Sequence, residues 1–238
     1  MAEIFTVDHD TVVKLDRPEF NGVALHEATI LRELARDGVP VPGVIDTVVI
    51  DGRHGVVMQR LDGPLLSDVI RSDGRVEELA EAFVELHIGL HSSVAPSAPD
   101  LVERLAAEIE RSKLPEEARA ELVGWLSDAA GEPGLCHFDL HPDNVIVTAS
   151  GWKVIDWVAA ATGPRVADFA RTLLLRGDAT DRHTVAFMDH VRAYGTRRRG
   201  IGGDALDTWS RIVAAARLSE GFAGDYASWL RAMALGTC

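Results

Sequence analysis

Residues Leu135 to Trp157 read LCHFDLHPDNVIVTASGWKVIDW, and they set His137, Asp139, Asn144 and Asp156 at the spacing that chemistry on a metal-bound nucleotide requires. Asp139 is placed to accept the proton of an attacking hydroxyl, while Asn144 and Asp156 offer oxygen ligands to a Mg²⁺ ion on the phosphates. Any one of these acids alone reads as a turn former or a solvated group. Together they are more specific, because the HxDxxxxN run enters an apolar strand, Val145 to Thr148, followed by a Ser150-Gly151 turn and a second strand that ends at Asp156. Such a hairpin returns Asp156 to the side of Asn144. His137 reads as a brace that bonds the hairpin backbone and fixes Asp139; the role of His141 is left open.

Lys14 ends a β-branched run, TVVKL, that reads as a strand, and Glu27 lies on a helix whose apolar positions Ala24, Ile30, Leu31 and Leu34 keep helical spacing. A strand lysine facing a helix glutamate is held as a fixed cation within reach of phosphates. Upstream of the acidic hairpin, the pair completes a constellation of five side chains: Lys14, Glu27, Asp139, Asn144 and Asp156.

The segments HFDLHPDN and IDW, with VVKL, HEATILREL, VVMQRLDG and GPRVADFARTLLL, resemble the aminoglycoside phosphotransferase and choline kinase family of small-molecule kinases. The resemblance covers most of the chain and fades after Arg176. It implies an α+β, protein-kinase-like fold of two lobes. A small antiparallel-sheet lobe over 1–62 would hold the nucleotide, and a larger, mainly helical lobe over 63–238 would hold the catalytic groups and the acceptor. It implies ATP and Mg²⁺ as cofactors, with the backbone of Gln59 and Leu61 bonding the adenine edge and Met58 packing behind it. On the residues alone, Met58 reads equally as strand core. The family counterpart of Asp168 buttresses the catalytic loop, although an acid in the first turn of a helix is also simply stabilising. The chain begins at Met1-Ala2-Glu3, almost at the family's second strand. The sheet is therefore expected to lack its first strand and phosphate-covering turn, which keeps a noncatalytic nucleotide-binding module as the alternative. Related proteins often carry glycine where Asp143 stands.

Local signals give strands over 3–7, 11–15, 44–50 and 55–60, with helices through Leu34, along the Val76, Leu79, Phe83, Leu86, Leu90 stripe, over 101–112 and 116–130, and through ADFARTLLL. His87 and His91 stand four apart but show no third ligand nearby, so they are not read as a metal site. Cys136 and Cys238 cannot form a disulfide framework. No apolar run approaches the roughly 20 residues of a spanning helix and no leader is evident, so the cytoplasm is expected.

A formal net charge of −13 argues against nucleic acid as a partner and suits a cationic acceptor. Arg197, Arg198 and Arg199 read as a solvated helix end. Between Asp156 and Asp168 there is no room for a long activation segment, and Phe138 stands where protein kinases commonly carry arginine; both features favour a small-molecule hydroxyl over a protein substrate. An aminoglycoside or related basic antibiotic leads, with Asp204, Asp207, Glu220 and Asp225 as candidate ammonium contacts. Choline, another amino-alcohol or a sugar is the rival, with Trp209, Tyr226 and Trp229 as candidate cation faces, although their spacing reads first as core.

Overall fold

A computed structural model describes residues 2–128, 131–175 and 181–237, so Met1, Arg176, Cys238 and the tail of the helix expected to reach Ala130 lie outside the described residues. Four antiparallel strands, β1 (Ala2–Thr6), β2 (Thr11–Asp16), β3 (Val44–Ile50) and β4 (Arg53–Gln59), form a sheet in the order β1-β2-β4-β3, and α1 (Val23–Arg36) packs on it. Side chains alternate across a strand, so Val12, Lys14 and Asp16 share the α1 face of β2. Val12 packs there against the small core of Ala24, Ala28, Val56 and Met58.

The N-terminus of α1 lacks a conventional cap, because Gly22 precedes it. Asp16 supplies one from the strand: its buried carboxylate accepts the Gly22 amide at 2.8 Å and the Ala24 amide at 3.0 Å. Strand and helix are thereby locked in the register that sets Glu27 against Lys14.

After β4 the chain crosses to the helical lobe through Gly63, whose φ of 154° is open to glycine and whose added Cβ would lie 2.1 Å from the Val147 carbonyl oxygen. Helices α2 (Leu66–Asp73), α3 (Val76–Leu90), α4 (Leu101–Arg111), α5 (Glu116–Asp128), α6 (Arg165–Leu174), α7 (Arg182–Arg199), α8 (Gly203–Arg217) and α9 (Gly224–Leu235) follow. Two small antiparallel pairs sit among them, β5 (Pro133–Cys136) with β8 (Ala161–Pro164), and β6 (Val145–Thr148) with β7 (Gly151–Val154). One continuous core runs beneath them, with Phe83, Leu101, Trp157, Phe169, Phe187 and Ile212 all fully buried.

The expected elements are present with ends shifted by a few residues. At the hairpin that carries Asn144 and Asp156, β7 stops at Val154, two residues before Asp156. The helix through ADFARTLLL starts earlier than its apolar run, at Arg165, placing Asp168 in its first turn. Among the described residues no helix is long and apolar enough to cross a membrane.

Replacing Asp16 with Ala strands buried helix amides and should cost about 1–2 kcal/mol of stability, read as a lowered urea midpoint. An unchanged midpoint would show that the cap carries no load.

Candidate active site

Lys14 Nζ lies 2.9 and 2.7 Å from the two Glu27 carboxylate oxygens and 2.8 Å from Asp156 Oδ1. Burial presses the Lys14 ammonium toward its neutral form, but the attraction of Glu27 and Asp156 outweighs it and holds the pKa above the ordinary lysine value. Burial pushes the Glu27 carboxyl up against the pull of Lys14. Glu27 also accepts the Trp157 amide at 3.1 Å, so one carboxylate fixes both the lysine and the end of the catalytic hairpin.

A cavity of about 490 Å³ opens at this point. Lys14, Glu27, Met58, Gln59, Leu61, Asn144 and Asp156 all line it. Met58 is 8% exposed within the sheet core and also lines the cavity. The Gln59 amide already donates to the Gly43 carbonyl at 2.8 Å, so that N–H is committed within the protein.

Asp139 is not among the groups lining that cavity and stands beside it. Asn144 Nδ2 donates to the Asp139 carbonyl at 2.9 Å and lies 3.5 Å from its Oδ2. That engages the amide nitrogen of Asn144 and leaves its oxygen as the acceptor. The Asp139 side chain is 31% exposed and so can be reached from solvent. His141 lies 4.0 Å from Asp139 and 3.6 Å from Asp143, and Asp143 accepts the Ser67 hydroxyl.

His137 does not reach the cavity. It is fully buried behind the loop, where its Nδ1 accepts the Asp139 amide at 3.2 Å. Its proton therefore sits on Nε2, which donates to the Ile155 carbonyl at 3.0 Å. Burial lowers its pKa and keeps the ring neutral, as this pattern of partners requires.

Phe138 and Asp156, on either side of the hairpin, adopt φ of 58° and 61°, the left-handed region that a residue with a Cβ rarely enters. Such strain persists only where surrounding contacts over-determine it. For Phe138 the restraint is Asp168, whose buried carboxylate accepts the Phe138 amide at 2.8 Å and the His137 amide at 3.1 Å. The same carboxylate takes His87 Nε2 and His91 Nε2, each at 2.9 Å.

Sequence reasoning missed this cluster because the third group near His87 and His91 lies far along the chain, in α6. His87, His91 and Asp168 are close enough to hold a metal ion. Their hydrogen bonds instead describe a brace: Arg199 donates to His91 Nδ1 at 3.0 Å, so the His91 proton is on Nε2 and points at Asp168. Arg199 is thus no solvated helix end. It is half-buried, stacked over Phe169 at 4.9 Å, with a pKa lowered by burial to about 10, while Arg197 and Arg198 are exposed as expected. Burial holds the His87 pKa down to about 3. Burial also opposes charge on Asp168, yet His87 foremost and the further bond from His91 keep its carboxyl well below the ordinary range.

Of the acids expected to meet an ammonium, Asp204 and Asp225 are exposed and Asp207 lies 4.0 Å from Arg192. Glu220 is engaged by arginine: Arg171 Nη1 at 2.8 Å and Arg217 Nη1 at 3.2 Å. Trp209 is core, whereas Trp229 is 36% exposed and stacks on Tyr226 at 5.6 Å.

The sequence profile of the phosphotransferase enzyme family matches residues 4–207. A thermostable mutant of the aminoglycoside phosphotransferase APH(4)-Ia, in ternary complex with ADP and hygromycin B, superposes with a TM-score of 0.72 at 14% identity, covering 100% of this chain and 92% of that one. The amicoumacin kinase hAmiN, in complex with AMP-PNP, Ca²⁺ and Ami, gives 0.65 at 15% identity, covering 99% and 87%. A choline/ethanolamine kinase family protein from Mesorhizobium loti gives 0.59 at 16%, covering 99% and 83%. At these identities the likeness establishes the fold, a small antiparallel sheet set against a helical lobe. No curated protein matches the chain.

The buried imidazoles of His87, His91 and His137 have folded pKa values below their unfolded value near 6.5, so acidification protonates the unfolded chain first and removes stability. The loss begins below about pH 6.5 and continues down toward the lowered folded values. Calorimetry should show the melting temperature falling by about 5 °C or more between pH 7.5 and 5, with a shallower slope in His87→Gln. A flat profile would contradict the brace.

Proposed function

We propose, on the premise that this chain belongs to the phosphotransferase enzyme family and is a small-molecule kinase, that it moves the γ-phosphoryl group of ATP to a hydroxyl of a cationic small molecule. The observation that carries this reading is the Lys14 ammonium bonded at once to Glu27 and Asp156, in a cavity that Asn144 also lines and beside which Asp139 stands. The nucleotide would lie between 1–62 and 63–238, with the Gln59 and Leu61 backbone on the adenine edge and Met58 behind it.

Lys14 then presents a fixed positive charge to the phosphates, and Glu27 prevents it from drifting to solvent. Asp139 accepts the acceptor proton as the O–P bond forms, on a loop held by His137 and Asp168. The Asn144 oxygen and the Asp156 carboxylate are hard donors that fit Mg²⁺, with the Asn144 nitrogen already occupied. When bound, such an ion neutralises charge that builds on the phosphate oxygens. The reaction is a direct in-line transfer with no phosphoenzyme.

For the acceptor we favour an aminoglycoside or related basic antibiotic. The net charge of −13 draws cations to the surface, and the structural relatives include an aminoglycoside phosphotransferase in complex with ADP and hygromycin B. Choline or another amino-alcohol is less well served, because of the three candidate faces Trp209 is buried and Arg217 lies 5.6 Å over the Tyr226 ring, which leaves Trp229 at 36% exposure. We place this phosphotransfer in the cytoplasm, where ATP is held.

Incubation with Mg·ATP and a panel of antibiotics, amino-alcohols and sugars, followed by mass spectrometry, should show one phosphoryl group gained by a basic antibiotic. Tight nucleotide binding with no product in any class would favour the noncatalytic module. In the active pairing, Asp139→Asn should lower kcat by about 10² to 10⁴ while calorimetric Mg·ATP affinity stays within a few-fold. Full turnover in that variant would remove Asp139 from the mechanism.

A further inference from the structure

Arg171 lies one helical turn beyond Asp168 on α6, so both side chains leave the same face of the helix toward the catalytic loop. Asp168 holds the loop backbone. Arg171 reaches the side chain: its Nη2 is 3.7 Å from Asp139 Oδ1, and its Nη1 donates to Glu220 Oε1 at 2.8 Å. The guanidinium is buried, and its Nε has no hydrogen-bond partner among the described residues.

A buried, incompletely bonded cation is costly, and an apolar side chain of similar length would fill the same space at lower desolvation cost. Folding alone therefore does not account for it. The arrangement around it is directional. Charges alternate from Arg217 through Glu220 and Arg171 to Asp139, and the Phe138 ring lies 5.4 Å from the Arg171 guanidinium and 4.8 Å from that of Arg104. Protein kinases commonly place an arginine at the Phe138 position; here the cations come from α4 and α6 and pack against the phenyl ring instead.

The 3.7 Å separation is too long for a good hydrogen bond and short enough for strong attraction. An arginine bonded in full to Asp139 would occupy the lone pairs that the acceptor hydroxyl needs. Glu220 takes Nη1 and so removes the two-pronged bond through both terminal nitrogens, and Arg217 in turn balances the charge of Glu220.

We propose that Arg171 is a positioning residue for phosphoryl transfer: restrained by Glu220, it orients the Asp139 carboxylate toward the acceptor hydroxyl without consuming its lone pairs. The inference rests on the proposed role of Asp139 as proton acceptor, and a double-mutant cycle separates the two.

With the acceptor found by the screen above, Arg171→Met should lower kcat about 10- to 100-fold and leave KM for ATP unchanged, while Arg171→Lys recovers part of the loss. In the Asp139→Asn background, Arg171→Met should cause no further loss, since the group it orients is gone. A merely structural arginine would lower kcat by the same factor in both backgrounds, and that result overturns the inference even where Asp139→Asn alone is strongly impaired. Full turnover of Asp139→Asn alone overturns the base assignment and this inference together. Should Arg171→Met fail to fold, Glu220→Ala takes its place in the cycle. It keeps the cation but frees it to bind Asp139, so it should lower kcat in the parent and not in Asp139→Asn; an equal loss in both again overturns the proposal.

Discussion

Lys14 is a single positive charge on which three distant parts of the chain converge. It joins the second strand of the sheet to Glu27 on the helix that follows and to Asp156 at the end of the catalytic hairpin, 142 residues away in sequence. Placing an ammonium in a mostly buried position is unfavourable unless carboxylates surround it, and the pair of acids also repels itself unless the ammonium lies between them. Each partner therefore makes the others tolerable. Removing one would leave an uncompensated charge and loosen the relation of sheet, helix and hairpin, which is the relation that shapes the cavity.

A second layer, built on Asp168, turns that cavity into a site with defined geometry. A chain with phenylalanine at a φ of 58° does not hold its shape unaided. Two backbone amides and two imidazoles converge on one carboxylate to hold it, and the bond from Arg199 to His91 fixes which ring nitrogen carries the proton. The loop is thus stiffened from behind by neutral imidazoles and an ionised acid, while at its front Asp139 is partly exposed and Asn144 lines the cavity. Stiffness of this kind supplies the orientation on which transfer between two bound groups depends.

Much of this was legible in the sequence where local pattern and chemistry coincide. The hairpin from Val145 to Asp156, the strand carrying Lys14 and the helix carrying Glu27 each follow from periodicity and turn residues, and their order along the chain supplied the grouping. Less legible were the residues whose partners lie far away. Asp16 lies just past the strand read over 11–15 and drew no notice there, because its capping of α1 needs the strand-to-helix geometry. His87 and His91 lacked a third partner only because Asp168 sits 77 residues beyond His91. Arg199 sat in a run of three arginines that reads as one solvated cluster, and only the packing of α7 against α3 distinguishes the inward-facing member from its neighbours. Glu220 and Arg171 neutralise each other across 49 residues, so an acid that looked available for an ammonium is engaged within the protein.

A crystal structure of the chain with Mg²⁺ and a non-hydrolysable ATP analogue tests the central claim most directly. The phosphates should lie beside Lys14, the metal between the Asn144 oxygen and the Asp156 carboxylate, and the terminal phosphate should face Asp139. A nucleotide lodged elsewhere, or a metal bound without either of those two side chains, would contradict it.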